Sequence, residues 1–599
     1  MLKFFKKTIL CLLVICMILG CVSCNKTPND NGDTESNTQV ETESNTQVET
    51  ESDVITRVDK IDIILDGKYA NIIVTNNKDF LLTEAIKNFA SSYANIVGVK
   101  SVSPRRNGAY DAEKAEILVG KVGYPESEEV YNTLKYNEVK ICVVGNKLVV
   151  AGYDSKAMSE ALTELTKKLG EKKDSSGNIS LGADFIIERM FAAPLSVLPV
   201  LEGLDPTYVD TGDDCHMLNL GSVGKDVFTA YCNDIAAEGF TLYAEKDIEG
   251  NIYKTYANDK HVVTAIYTQY NGIAKVLAEP LSATALPTKV ENNTYTPIDG
   301  CETTITQVGL LQEGNLARTY NGMCYIIRLA DGSFIVVDGG FGLDGYDERI
   351  YNILKKQAPD KNNIVIAAWI ITHAHDDHVD VFESFFESFA DKVTIEKFIC
   401  NLPSAEQLVD NWANEKDGNI RYTENTRKFL DTSYPNIPKI KAHPGQEFHI
   451  RNAKINILFT LDVYDKKLDD YNNSSVVFIL EAEGKKMIFL GDHDDKGDTI
   501  SRMYGASTLK SDIVQVAHHG LPENSSNAIC KIIDPEYAFW PVGAKVVKGD
   551  VVLFEVEANK YIVALGEDKI FLAEDNVYVF KLKDSTVMKY DSVSDYLGN

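Results

Sequence analysis

The chain has 599 residues, of which 44% are hydrophobic, so it is long enough for roughly three to four domains with cores of their own. A formal net charge of -28 opposes broad contact with a polyanion, because nucleic-acid sites displace counterions with clustered Lys and Arg, and no duplex nucleic acid is expected as a partner. Four of the eleven cysteines lie in the first 24 residues, and beyond Cys24 no C-x-x-C pair occurs, which argues against a disulfide framework.

Lys3, Lys6 and Lys7 precede an apolar run from Ile9 to Leu19, a charged start and a short hydrophobic stretch that predict an export signal over residues 1–20. Ile18-Leu19-Gly20-Cys21 resembles a bacterial lipobox, which implies a lipid on Cys21, with Cys24 as the alternative, and an anchor in the membrane facing the extracytoplasmic side. Residues 21–53 then read as a disordered acidic linker: large apolar side chains are almost absent, and Thr34 to Glu41 (TESNTQVE) repeats as Thr42 to Glu49. As a random coil this stretch spans about 30 Å on average.

From residue 54 short β-rich runs alternate with helical ones, and residues 54–195 read as an α/β domain. The pattern predicts helices over Phe80 to Val97 and Ser155 to Leu169 and a hairpin in KICVVGNKLVVAGY. The phrase Ala115 to Gly120 (AEILVG) with that hairpin resembles the accessory N-terminal domain of α-glucuronidase-like glycoside hydrolases, which implies a structural module without catalytic residues. Residues 200–295 read as a small α+β domain with a helix over Lys225 to Glu238 and four strands. Its tyrosines (Tyr243, Tyr253, Tyr256, Tyr267 and Tyr270) read as sheet packing rather than a binding face.

Residues 300–599 carry the chemistry. YNGMCYIIRLADGSFIVVDGG reads as a hairpin turning at Asp331-Gly332 and ending at Asp338-Gly339-Gly340. An apolar strand from Ile364 to Ile371 then runs into His373-Ala374-His375-Asp376-Asp377-His378. Three imidazoles and two carboxylates within six residues suit a pair of divalent cations. His373 and His375 alternate onto one side of an extended chain and serve one ion, while Asp377 and His378 serve the other. Two later strands end in ligand-type residues: Lys486 to Leu490 at Gly491-Asp492, and Ile513 to Ala517 at His518-His519-Gly520. The predicted metal ligands are thus His373, His375, Asp377, His378, Asp492, His518 and His519. From an extended strand only one of His518 and His519 can face the site. His443 and His449 read as satisfied polar groups.

YNNSSVVFILEAEGKKMIFLGD followed by VQVAHHGLPENSS resembles the soluble hydrolase domain of competence-type DNA-uptake channel proteins, within the metallo-β-lactamase superfamily. The resemblance implies an αββα sandwich, two divalent ions (zinc, with manganese as the alternative), an N-x-x-S strand at Asn472 to Ser475 and Asp492 as the bridging ligand. Two positions depart from it: Leu490 replaces Thr in the T-G-D strand, and Leu521 replaces Ser after H-H-G. The expectation is therefore a multidomain α/β protein with a C-terminal metallohydrolase, using a hydroxide held between two ions against a phosphodiester or another small or wall-linked ester. In that scheme Asp377 orients the nucleophile and His519, if it is the one free of metal, stabilises developing negative charge. A lactam or lactone hydrolase, and a non-catalytic surface glycan-binding lipoprotein with a degenerate site, remain the alternatives.

Overall fold

The structure, a computed structural model, describes residues 55–598 apart from short internal stretches, chiefly 76–79, 135–137, 191–193, 200–205, 311–321, 409–414, 522–526 and 548–552. The expected export signal, lipobox cysteine and acidic linker lie outside the described residues. Among those described, no helix is long and apolar enough to cross a membrane.

The first region is built on a mixed six-stranded sheet, in the order Arg105–Arg106, Asn71–Val74, Glu116–Val119, Lys147–Gly152, Glu138–Val144, Ile186–Met190. Val, Ile and Leu dominate its central strands, and Lys147–Gly152 is buried along its whole length. Such continuous burial suits a strand covered on both faces. Helices Phe80–Val97 and Ser155–Glu171 share a core with the sheet through Phe89, Tyr93, Leu162 and Leu165.

The second region holds six strands, not four, in the order Thr207–Gly212, Cys215–Ser222, Ile273–Pro280, His261–Thr268, Asn251–Ala257, Thr241–Ile248. Thr207–Gly212 and Cys215–Ser222 were invisible to periodicity. The second of these (CHMLNLGS) mixes polar and apolar residues without alternation, although most of it is buried. One face of this sheet packs on helix Lys225–Ala237, where Tyr256 and Tyr267 meet Phe228 and Cys232. The other face joins the C-terminal core through Met217, Tyr253, Ile266 and Leu277. Tyr253 Oη sits 2.6 Å from Tyr504 Oη, and Asn251 Nδ2 donates to the Met503 carbonyl at 2.8 Å. Three of the five tyrosines are therefore core residues.

Two sheets form the C-terminal region. The nine-stranded one runs Lys439–Lys441, Phe398–Cys400, Ile364–Ile370, Phe334–Val337, Tyr325–Arg328, Thr304–Val308, Val577–Lys581, Thr586–Tyr590, with Val393–Ile395 also pairing beside Ile364–Ile370. The seven-stranded one runs Glu447–Ile450, Ala453–Phe459, Val477–Ala482, Lys485–Phe489, Ile513–Gln515, Tyr537–Trp540, Ile570–Leu572. Tyr325, Ile327, Ile370, Phe478, Phe489 and Phe539 belong to a core common to the two sheets. Helices cover the outer side of each, with Trp369 against Phe382, Phe385 and Phe386 of helix Asp376–Phe389 on one, and Ile500, Ile529 and Ile533 on the other. Strands Ile364–Ile370, Lys485–Phe489 and Ile513–Gln515 all run into the ligand-type residues.

A buried ionic staple joins the second region to the third. His443 places Nδ1 2.8 Å from Asp462 and Nε2 2.9 Å from Glu279, all three fully buried, and Lys441 Nζ donates to the Thr211 carbonyl at 2.8 Å. Burial opposes a charged imidazole, but the Glu279 and Asp462 carboxylates outweigh it and push His443 up to about 9. A folded value above the ordinary 6.5 means the folded state holds this proton more tightly. That stabilisation is complete below about pH 6.5 and is lost as pH rises through 9. Urea unfolding between pH 6 and 9.5 should show wild-type stability fall by about 3 kcal/mol from this group, while His443→Gln, destabilised throughout, should lack the slope.

Candidate metal centre

Strand Ile364–Ile370 is buried over nearly its whole length and delivers Thr372 and His373 to the interior. His375 is extended (φ -72, ψ 155) and caps helix Asp376–Phe389, so Asp377 and His378 occupy the first helical turn. Carboxylates are favoured there by the helix dipole. Asp492 follows strand Lys485–Phe489, and His518 and His519 follow strand Ile513–Gln515.

These chain segments converge. Asp377, His378, Asp492 and His519 are buried, and their ligand atoms lie within 4.8 Å of one another. His378 Nε2 is 3.2 Å from Asp492 Oδ1, and His519 Nε2 is 3.0 Å from Asp377 Oδ2 and 3.7 Å from Asp492 Oδ2. At the edge of this group His373 Nε2 approaches Asp492 Oδ2 at 3.8 Å, with His375 Nδ1 3.1 Å from His373 Nε2. His518 Nε2 lies 3.9 Å from the same Asp492 oxygen. Of the seven residues expected as ligands, Asp377, His378, His373, His518 and His519 thus lie around the Asp492 carboxylate, and His375 borders the group through His373.

The expected extended backbone at the last pair is absent. His518 (φ 44, ψ 47) and His519 (φ 54, ψ 12) are both left-handed within a short turn, and both imidazoles face Asp492. Trp540 Nε1 donates to the His519 carbonyl at 2.7 Å, and Asn559 Nδ2 donates to that of Gly520 at 2.6 Å. Gly520 itself (φ 74) leaves no room for a side chain, since a Cβ would lie 2.5 Å from the Trp540 ring. Asn472 to Ser475 likewise departs from expectation: Tyr471–Ser474 is a 3-10 turn ahead of strand Val477–Ala482. Asp470 caps it through the Asn472 N–H, an alternative that Asp and Asn offer to strand pairing.

Several orienting groups escaped the sequence reading. Asp338 Oδ2 receives His378 Nδ1 at 2.7 Å and the Thr372 hydroxyl at 2.7 Å, and Oδ1 receives the Thr372 N–H. A carboxylate behind a ligating imidazole fixes its tautomer and its aim. Gly339 and Gly340 donate their N–H groups to the His378 carbonyl, so D-G-G holds both ends of that residue. Close approach requires the first glycine, because a Cβ on Gly339 would lie 2.4 Å from the Phe382 nitrogen. Ser475 Oγ accepts from the Asp492 N–H and lies 3.2 Å from His373 Nδ1, while Pro541 O lies 2.9 Å from His519 Nδ1. Gln515 latches the Asp492 strand, its Oε1 accepting from the Leu490 and Gly491 N–H groups at 2.8 Å. The D-G-G signature at the hairpin end and Ser475 of the N-x-x-S segment stood out beforehand, with no orienting role attached to either.

At Asp377, Asp492, His373 and His518 charge settles in the pattern that ligands need, while His378 and His519 hold a proton more tightly than usual against their carboxylate neighbours. Burial pushes the carboxyls of Asp377 and Asp492 up, but the surrounding imidazoles, His378 foremost, hold both well below the usual carboxylate range. Burial depresses His373 and His518 and keeps them neutral, with His378 adding to the effect at His373. At His378 burial is outweighed by Asp492, Asp338 and Asp377, and the imidazole is lifted, so proton and cation compete for one nitrogen.

The donor set fits a divalent ion of zinc-like character: imidazole nitrogen with carboxylate oxygen at closely similar separations. His378 Nε2 and Asp492 Oδ1 are buried without a hydrogen-bond partner, a cost that a shared cation removes. The remaining histidines of this region lie elsewhere. His443 is in the ionic staple, His449 pairs with Glu447 at 2.7 Å, and His493 is held neutral by burial, its Nε2 2.9 Å from Tyr464 Oη.

Comparison with known proteins bears on this region. Residues 317–539 match the model of the Metallo-beta-lactamase superfamily. A search of curated proteins finds no match. Among solved structures, the metallo-beta-lactamase fold protein YhfI from Bacillus subtilis is similar at 11% identity over 46% of this chain and 99% of that one, with a TM-score of 0.29. Zn(2+)-bound PqqB from Methylobacterium extorquens is similar at 9% identity over 48% and 99%, with a TM-score of 0.29. CmlA, a diiron beta-hydroxylase from Streptomyces venezuelae, is similar at 12% identity over 48% and 55%, with a TM-score of 0.28. With the family match spanning the D-G-G hairpin, the HxHxDH cluster, Asp492 and the His518-His519 turn, the chain carries a metallo-β-lactamase superfamily domain.

Proposed function

We propose that this protein is a metal-dependent hydrolase acting on a phosphodiester or a related small ester, tethered to the outer side of a membrane by a lipid on Cys21. The observation that carries the reading is the buried convergence of Asp377, His378, Asp492 and His519, with two of their polar atoms lacking any other partner. A bound divalent ion, most simply zinc, would supply Lewis acidity, acidifying a water and polarising the substrate oxygen. Asp377 and Asp492 would hold that ion and supply the negative charge that balances it. Asp377, ionised and set in the first turn of its helix, also orients the attacking water. His519, hydrogen-bonded to Asp377, belongs to the ligand set, which moves it from the charge-stabilising role to a metal-holding one. Asp338, Ser475 and Gln515 keep the ligands aimed before substrate arrives, so little reorganisation accompanies the reaction.

Support for a phosphodiester comes from the likeness of the Asn472-to-Asp492 and H-H-G segments to the competence-type hydrolase branch. The net charge of -28 favours a short substrate over a polymer. The zinc-loaded protein should hydrolyse bis-p-nitrophenyl phosphate faster than nitrocefin or a homoserine lactone. A preference for either of the latter would overturn the substrate assignment.

A further inference from the structure

A cavity of about 240 Å³ lies where the second region meets the third, and it shares no residue with the metal centre. Its walls are the turn at Asp213-Asp214, the segment after strand Ile273–Pro280, strands Phe398–Cys400 and Lys439–Lys441, and helix Glu415–Ser433. Drug-sized ligands take roughly 300–1,000 Å³, so a smaller molecule fits here.

Two of the lining residues are buried cations. Arg427 and Lys441 are each 8% exposed, and both reach the Thr211 carbonyl, at 3.4 Å from Nη2 and 2.8 Å from Nζ. Gly212, left-handed at φ 81, makes room for the guanidinium, since a Cβ there would lie 2.6 Å from Arg427 Cζ. Buried charge is tolerated when its polar atoms are paired, and here the pairing is incomplete. Arg427 Nε is buried without a hydrogen bond among the described residues, although Asp213 Oδ2 stands 3.3 Å away. Lys441 Nζ bonds the carbonyl and hydroxyl of Thr211, while Glu279 Oε1, 3.8 Å off, is itself without a hydrogen bond. Glu279 and Asp462 are moreover shared with protonated His443, so three buried cations face two buried carboxylates. The other acidic partners of Arg427 are Glu424 and Asp213, whose side chains are largely in solvent.

The rim carries the opposite sign. Asp213 and Asp214, both left-handed, form an exposed turn there, and Lys439 is already paired with Asp431. A positive floor beneath a negative rim complements a molecule that carries both charges. A simple anion is opposed by the chain's net charge of -28, whereas a zwitterion is not.

We propose that this cavity binds a small zwitterion, its acid group on Arg427 and Lys441 and its ammonium against the Asp213-Asp214 turn. Nothing in this site depends on the metal ion. Isothermal titration calorimetry of the whole protein tests it, with the L-amino acids and phosphoethanolamine as probes and acetate, inorganic phosphate and ethylamine as single-charge controls. At least one zwitterion should bind with a dissociation constant of about 1 mM or tighter, and the controls at least about tenfold more weakly. An amino acid preferred over phosphoethanolamine would make the acid group a carboxylate, and the reverse a phosphate. Arg427→Gln should weaken binding at least about tenfold, the usual effect of losing a hydrogen bond to a charged group. Because Arg427 also holds backbone carbonyls, Ser282→Trp provides a second variant: Ser282 is an exposed lining residue outside the ion pairs, and an indole there should block entry and cause a similar loss. No zwitterion bound at about 10 mM, a single-charge control bound equally well, or unchanged affinity in Ser282→Trp would overturn the proposal.

Discussion

Replacing Asp492 with alanine should eliminate stable metal binding and lower hydrolysis by on the order of 10^3-fold or more, since removing one preorganised electrostatic group from an active site already costs 10^2–10^3-fold. The expectation follows from position. Asp492 is 1% exposed, Oδ1 lies 3.2 Å from His378 Nε2, and Oδ2 is the common neighbour of His373, His518 and His519. Without this carboxylate the buried imidazoles lose the charge that makes a cation preferable to a proton. Asp338→Asn gives a graded comparison. An amide offers an N–H where His378 Nδ1 now meets an oxygen, which favours the tautomer protonated at Nε2, and that nitrogen then cannot ligate. Metal affinity should fall by about 10–100-fold, the usual effect of removing an orienting partner. Titration with a chromophoric zinc chelator checks both variants, and Asp492→Ala with wild-type affinity would contradict the geometry.

Trp369→Ala should destabilise the protein by about 3–5 kcal/mol, the range for truncating a large aromatic in a core. Trp369 is fully buried, and its ring centroid lies 5.1–5.2 Å from those of Phe382, Phe385 and Phe386. Those three phenylalanines dock the helix whose first turn holds Asp377 and His378. Beyond the cavity, the substitution should therefore weaken metal affinity, because the helix loses the contact that sets its height above Gly339. Chemical denaturation of the metal-free protein reads the first effect and chelator competition the second. A stability loss with unchanged affinity would show that the D-G-G contacts alone position the ligands.

What was legible in the sequence was whatever is local. Three histidines and two aspartates in six residues mark themselves without tertiary information, and so does an apolar run that stops at Gly491-Asp492 or at His518-His519. The conformation of that last pair was not legible, because it is imposed by Trp540 and Asn559 from 21 to 39 residues away. Asp338 was visible as part of a turn signature, but its role depends on a strand and a helix that come together only in the fold. Gln515 sits inside an apolar strand, where a polar residue carries no periodic signal, yet it fastens the segment bearing Asp492. Strand Thr207–Gly212 was missed because at the sheet edge it is mostly half-exposed and has no apolar face to mark it, and Cys215–Ser222 because a strand covered on both faces loses the alternation that identifies strands. The same double covering puts Tyr253, Tyr256 and Tyr267 in cores.

A zinc-edge anomalous difference map from crystals of the metal-loaded protein tests most directly whether Asp377, His378, Asp492 and His519 form a cation site. A peak should stand about 2.0–2.2 Å from His378 Nε2, His519 Nε2 and a carboxylate oxygen each of Asp377 and Asp492. Fully zinc-loaded crystals with no peak among these four side chains would contradict it.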